Sequence, residues 1–218
     1  MLRIGLIDGD PAIRAGRSLM INAQEAMHLV YEEASAVAAL ERIPDLLVDV
    51  LVIDHRLQGF DGVELARRLV DVYSERGELC PAIVITGPYA TPDLVMSAIR
   101  CGATDVVTQD APMSELLTAI KNAGEPRKLA DFSGFDLILS SADYVPKVDP
   151  LFVLRRSQLR DEQARVLGVI SNCNSLIEAN SILGMDRDSF TDVLNEILIA
   201  LHFATYEQLY LALHDSEI

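Results

Sequence analysis

Over residues 1–123 the sequence alternates short apolar runs with amphipathic stretches, five of each, and few folds accept that pattern. The runs are Leu2–Ile7, Leu29–Tyr31, Val50–Ile53, Ala82–Ile85 and Asp105–Val107. The stretches that follow them are Pro11–Asn22, Ala34–Glu41, Gly62–Tyr73, Asp93–Arg100 and Met113–Ala123. Strand-length runs interleaved with helix-length stretches predict an α/β fold, a doubly wound five-stranded parallel sheet. Two helix starts are signed by a capping side chain before a proline, Asp10-Pro11 and Thr91-Pro92; proline suits the first helical position because the N–H it lacks would find no partner there.

The chain has 218 residues, enough for a second, smaller domain. Half the residues are hydrophobic and the mean hydropathy is +0.23, which supplies real cores and excludes a disordered chain. No apolar stretch approaches the roughly 20 residues needed to cross a bilayer. The opening Met-Leu-Arg-Ile-Gly-Leu-Ile-Asp meets an acid too soon for a signal peptide and reads as a strand. Cys80, Cys101 and Cys173 are an odd, widely spaced set without a CxxC pair, so reduced core thiols in a cytoplasmic protein are expected.

Residues 124–150 are punctuated by Gly124, Pro126, Gly134, Ser140, Ser141, Pro146 and Pro150 and read as a linker, with Phe135–Leu139 apolar enough to pack somewhere. Residues 151–218 read as an all-α domain of four helices: Asp161–Ser171, Ser175–Leu183, Ser189–Leu201 and Tyr206–Leu213. Gly184 suits the left-handed position that ends a helix, and Asp186 or Asp188 suits the cap of the next. Two short helices around Leu183-Gly184-Met185 form a helix-turn-helix pattern.

In doubly wound sheets ligands sit beyond the carboxyl ends of the strands. There the sequence delivers Asp8-Gly9-Asp10 after the first run, Asp54 after the third, Thr86-Gly87 after the fourth and Thr108-Gln109 after the fifth. Clustered carboxylates repel one another unless a cation lies among them, and oxygen ligands suit a hard cation such as Mg²⁺. Such a site would neutralise a phosphate, with the Thr86 hydroxyl bonding one of its oxygens. Each residue also has a plainer reading: Asp8 and Asp10 as helix caps, Thr86 as the start of a turn.

Leu51-Val52-Ile53-Asp54-His55-Arg56-Leu57-Gln58-Gly59-Phe60-Asp61-Gly62 resembles the phospho-acceptor motif of response-regulator receiver domains. Ile85-Thr86-Gly87 resembles that family's switch hydroxyl, and Cys101-Gly102-Ala103-Thr104-Asp105 its Gly-Ala turn. The resemblance covers about residues 1–123 and implies a CheY-like (flavodoxin-like) fold. It implies that Asp54 takes a phosphoryl group from a sensor histidine kinase or phosphotransfer protein, and that Thr86 reports it. It implies Mg²⁺ held by Asp8, Asp10, Asp54 and the Arg56 backbone carbonyl. Three departures stand out: Gly9 replaces the second adjacent acid, Gln109 the strand-five lysine, and Val106 the aromatic switch residue. An enzyme reading competes, since Asp8-Gly9-Asp10 also looks like the DxD of haloacid-dehalogenase-type phosphatases, but it leaves Asp54 unexplained and lacks the lysine and later acid pair.

Residues 151–213 resemble the output domain of LuxR/FixJ-type (NarL-like) response regulators. The likeness lies in Leu159–Leu167, in Ser175–Met185 and in Asp188–Leu194 where a recognition helix begins. Ile177, Ala179, Ile182, Leu183, Phe190, Val193, Ile197 and Leu201 keep an apolar frame at helical spacing. The resemblance implies DNA contacts from Arg187, Ser189, Thr191 and Asn195. The charge opposes it: the net charge is −15, and no Lys or Arg follows Arg187. Tyr206, Leu209, Tyr210 and Leu213 read equally as a homodimer face or as core. His28, His55, His202 and His214 are isolated and read as packing or surface residues. The expectation is a two-component response regulator, not an enzyme, that regulates transcription. The alternative is a phosphorylation-independent pseudo-receiver used for protein contact or dimerisation without DNA binding.

Overall fold

A computed structural model describes residues 1–125, 150–173 and 175–215, in two compact units, Met1–Pro126 and Arg127–Ile218. In the first unit β1 (Leu2–Ile7), β2 (Met27–Glu33), β3 (Val50–Asp54), β4 (Ala82–Gly87) and β5 (Asp105–Thr108) form one sheet in the order β2-β1-β3-β4-β5. Each adjacent pair is parallel, as the alternating pattern requires. The connecting helices are α1 (Pro11–Asn22), α2 (Ala36–Arg42), α3 (Gly62–Glu75), α4 (Pro92–Arg100) and α5 (Met113–Ala123).

Successive strand residues point to opposite faces, which divides the core in two. Ile4, Leu6, Val50, Val52 and Val84 pack with Ile21 of α1 and Leu116, Ala119 and Ile120 of α5. Ile7, Leu51, Ile53, Ile83 and Ile85, in the alternate register, are also fully buried. Helix α3 lies against β3 and β4 and buries Leu65, Ala66 and Leu69. Both central strands are therefore covered on both faces, which is why they read as unbroken apolar runs.

Among the boundaries that differ from the sequence expectation, those of β2 and α2 have clear local reasons. Strand β2 runs from Met27 to Glu33, because pairing with β1 continues from Leu2↔Met27 to Ile7↔Glu33 beyond the apolar triplet. Helix α2 starts at Ala36 rather than Ala34: the Glu33 carboxylate accepts the amides of Ala34 and Ser35 at 2.6 and 3.0 Å, and Ser35 takes the capping position.

In the second unit α6 (Pro150–Arg156), α7 (Asp161–Ile170), α8 (Leu176–Leu183), α9 (Arg187–Leu201) and α10 (Tyr206–Asp215) are all helical. Helix α6 is an addition to the four expected. It inserts Phe152, 1% exposed, against Phe203 with ring centroids 5.7 Å apart. Gly184 closes α8 in the left-handed region at φ 62°, and Asp186 caps α9 by accepting the Ser189 amide at 2.9 Å. The apolar frame holds at Ala179, Phe190, Val193, Ile197 and Leu201, but Ile177 and Ile182 face solvent, each 62% exposed. Tyr206, Leu209, Tyr210 and Leu213 are buried in this domain's own core, which decides between the two readings of that stripe. Most of the expected linker, residues 126–149, and with it Phe135–Leu139, lies outside the described residues. Among the described residues no helix is long and apolar enough to cross a membrane.

Candidate functional site

The strand register assembles the site. Ile7 pairs with Ile53, Asp54 with Thr86, and Gly87 with Thr108, so the chain ends of β1, β3, β4 and β5 come level along one edge. Asp8, Asp54 and Thr86, widely separated in sequence, meet there: Asp8 and Thr86 are fully buried and Asp54 is 4% exposed. Gly62 permits the close approach of α3. A Cβ on it would lie 2.2 Å from the backbone oxygen of Asp54, while its N–H donates to the His55 carbonyl at 2.9 Å.

Asp54 is surrounded by donors. The Thr86 hydroxyl donates to Oδ1 at 3.2 Å, the Gln109 amide to Oδ1 at 2.8 Å, and the Arg56 backbone N–H to Oδ2 at 3.1 Å. The Arg56 guanidinium reaches across and donates to Gln109 Oε1 at 3.0 Å. A cation thus stands behind the Gln109 amide. The Arg56 carbonyl borders the Asp8-Gly9-Asp10 turn, 3.4 Å from where a Cβ on Gly9 would stand.

The acids after β1 are engaged elsewhere. The Asp10 carboxylate caps α1, accepting the amides of Ala12 and Ile13 at 2.8 and 3.1 Å, and those donors hold its pKa below the ordinary value. Asp8 accepts the Asp10 amide on Oδ1 at 2.9 Å and the Arg17 guanidinium on Oδ2 at 2.6 Å. Burial pushes the Asp8 carboxyl above its usual range, against the pull of that amide and of Arg17. Arg17, 5% exposed, also donates through Nη1 to Thr86 Oγ1 at 2.9 Å, and Arg14 donates to the Asp8 carbonyl. Sequence reasoning missed Arg17. Its signal is a cation one helical turn from both Ile13 and Ile21, on the side of α1 that the sheet covers.

In the helical domain the four residues expected at DNA do not share one condition. Arg187 and Ser189 are exposed. The Thr191 hydroxyl donates back to the Arg187 carbonyl at 2.8 Å, and Asn195 Oδ1 accepts the Tyr206 hydroxyl at 3.4 Å, so both have partners within the domain. Asp188, Asp192 and Glu196 are exposed on the same helix, and Glu196 is ion-paired with Arg160.

A buried carboxylate ringed by hydrogen-bond donors at the ends of a 2-1-3-4-5 parallel sheet is joined by a direct sequence match. Residues 4–121 match the family described as the response regulator receiver domain. The chain belongs to the response-regulator family. Among relatives of this response regulator, the DNA-binding transcriptional activator DevR/DosR of Mycobacterium tuberculosis is 30% identical over 172 residues, 78% of this chain and 75% of that one. The solved structure of a LuxR-family two-component response regulator from Aurantimonas sp. is 26% identical and superposes with a TM-score of 0.54, covering 59% of this chain and 88% of that one. The RcsB response regulator of Salmonella typhimurium covers 96% of both chains at a TM-score of 0.51 and 14% identity, a likeness of fold alone. The family of the relatives is LuxR/NarL.

Receiver domains typically bind Mg²⁺ at an acidic site, and this response regulator has the acidic site. Its residues do not fit the ion as they stand. Asp10 Oδ1 caps α1, Asp8 is paired with a buried guanidinium, and among the described residues no group of three or more His, Cys, Asp or Glu side chains is placed to hold a metal. Mg²⁺ demands a near-octahedral set of oxygens, and a cation already seated among the acids repels it.

Proposed function

We propose that this response regulator works in a two-component phosphorelay, in which Asp54 accepts a phosphoryl group from a histidine kinase or phosphotransfer protein. The helical domain turns that event into regulation of transcription. The observation that carries the reading is the set of donors on Asp54: Thr86 Oγ1, Gln109 Nε2 and the Arg56 N–H, all aimed at the two oxygens of one buried carboxylate. Donors fixed around a nucleophile are in position for the negative charge that arrives with phosphorus, and they need little reorganisation to meet it. In the transfer an Asp54 oxygen bonds to phosphorus while the P–N bond of a phosphohistidine breaks and the imidazole keeps the electron pair. Thr86, bonded to Asp54 on one side and Arg17 on the other, carries the change in charge away from the acceptor.

The output role is supported by the helix-turn-helix α8–α9 and by a relative named as a DNA-binding transcriptional activator. The reading gives the chain no turnover of a small substrate; it places the protein in the cytoplasm, acting as a homodimer through a face other than the buried stripe of α10. The test is intact mass after incubation with acetyl phosphate and Mg²⁺, with Asp54→Asn as control. One phosphoryl adduct, absent from the variant, is expected. No adduct, with an active receiver labelled in parallel, would overturn the assignment of Asp54.

A further inference from the structure

The pocket that normally calls for a metal already contains a cation of the chain's own. Arg17 Nη1 bonds Asp8 Oδ2 at 2.6 Å and Thr86 Oγ1 at 2.9 Å, and that hydroxyl in turn bonds Asp54 Oδ1 at 3.2 Å. The guanidinium therefore joins the end of β1 to the end of β4, beside the β3 strand end that lies between them. Both members of the ion pair are shut from water, with side chains 6% and 1% exposed. Two buried carboxylates beside one another demand a compensating charge, and here a covalently attached one supplies it with fixed geometry. The remaining acid of the trio, Asp10, is turned to the α1 backbone.

We infer that Arg17 is the resident cation of this site, standing in for a divalent metal, so that loading of Asp54 does not depend on Mg²⁺. The loading half of this inference rests on the phospho-acceptor role of Asp54; the exclusion of metal does not. Arg17 is paired to Asp8 and the α1 amides hold Asp10 Oδ1, and among the described residues no group of three or more acids, histidines or cysteines is placed to hold a metal; Asp54 beside a guanidinium is a poor Mg²⁺ ligand set. The phosphoryl group meets a different environment. Thr86, Gln109 and Arg56 offer donors, and the Arg17 and Arg56 guanidinia offset its charge from two sides. With acetyl phosphate the step balances without a metal: the Asp54 oxygen–phosphorus bond forms, the bond from phosphorus to the acetyl oxygen breaks, and acetate leaves with the electron pair.

Two measurements on the full chain test this. The first is Mn²⁺ titration followed by electron paramagnetic resonance. The wild-type chain is expected to bind no Mn²⁺ in the millimolar range, and Arg17→Met to gain a site. A wild-type site that disappears in Asp8→Asn would overturn the inference, as would a folded Arg17→Met chain that still binds none. If Arg17→Met does not fold, the wild-type titration decides alone. The second is intact-mass labelling with acetyl phosphate in EDTA and in Mg²⁺, where the same extent of Asp54 adduct is expected. An adduct seen with Mg²⁺ only would overturn the inference and leave Asp54 as acceptor. No adduct in either buffer, together with no Mn²⁺ binding, would sink the phospho-acceptor role while supporting Arg17 as the cation that excludes metal.

Discussion

Gln109 Nε2 stands 2.8 Å from Oδ1 of Asp54, a neutral amide donating to the acceptor carboxylate. A charged donor at that place makes a hydrogen bond about twice as strong, worth on the order of 1 kcal/mol more. Gln109→Lys is therefore expected to speed acetyl-phosphate labelling of Asp54 by roughly fivefold. A time course of intact mass checks it; an unchanged or slower rate would mean that Arg56 already supplies the charge.

Gly62 and Gly16 predict opposite outcomes for the same substitution. A Cβ at Gly62 would overlap the Asp54 backbone oxygen at 2.2 Å, so Gly62→Ala must displace either α3 or the end of β3. That overpacking costs about 1–3 kcal/mol. Gly16 lies inside α1 with nothing within 4 Å of its would-be Cβ, and Gly16→Ala gains about 0.5–1 kcal/mol from backbone entropy. Urea midpoints of the two variants should move in opposite directions from wild type.

Burial pushes the Cys101 thiol up to about 12, while the Cys80 and Cys173 side chains are also buried. The thiolate is the reactive form, so Cys101 is expected to resist a disulfide reagent in the folded chain near pH 8 and to react once urea is added. Peptide mapping after a short labelling pulse reads this directly; rapid native labelling of Cys101 would contradict the packing around α4.

On the exposed face of α3, Arg67 and Arg68 both bond the Glu64 carboxylate and hold its pKa down to about 2. A carboxyl depressed on folding contributes stability above its unfolded pKa, near 4.5, and loses it as pH falls toward 2. The pairs are solvent-exposed, so the contribution is roughly 0.5–1 kcal/mol. Glu64→Gln is expected to lower stability by that much near neutral pH, with the difference from wild type shrinking below about pH 4. Denaturant titrations across this range check the sign.

Helix α9 exposes Asp188 and Asp192 with one arginine, Arg187. If DNA binds there, Arg187→Ala reduces the slope of log affinity against log salt by about 1, the share of one phosphate contact. Asp188→Asn and Asp192→Asn are expected to strengthen binding, since each removes repulsion from the phosphates. Fluorescence anisotropy with duplex DNA over a salt series measures all three; variants indistinguishable from wild type would move the contact away from α9.

Much of the receiver was legible because its central strands are buried on both faces and its helices on one, so hydrophobic periodicity separates them. Asp10-Pro11, Thr91-Pro92 and Gly184 mark boundaries through local backbone chemistry, and the structure keeps all three. Edge strand β2 outruns its apolar triplet because its length comes from pairing with β1, not from its own composition. Ile177 and Ile182 keep the helical spacing of the apolar frame yet face solvent, because spacing fixes a face but not what covers it. Helix α6 is not marked in the sequence because a proline and a linker-like preface hide the packing of Phe152 on Phe203, a contact with a residue 51 positions away.

The sequence by itself determined the parallel α/β sheet, the carboxylate at the end of β3 and the hydroxyl at the end of β4, because the alternation of strands and helices follows from short-range patterns. Only the tertiary structure decided how those groups are charged and partnered. Whether Asp10 faces the pocket or the α1 backbone, and whether Arg17 lies outside or among the acids, depends on helix placement over the sheet to within one hydrogen bond. A side chain on α1 and a hydroxyl 69 residues later have no mark in the sequence that they will meet, since their contact is made by strand register and not by chain proximity.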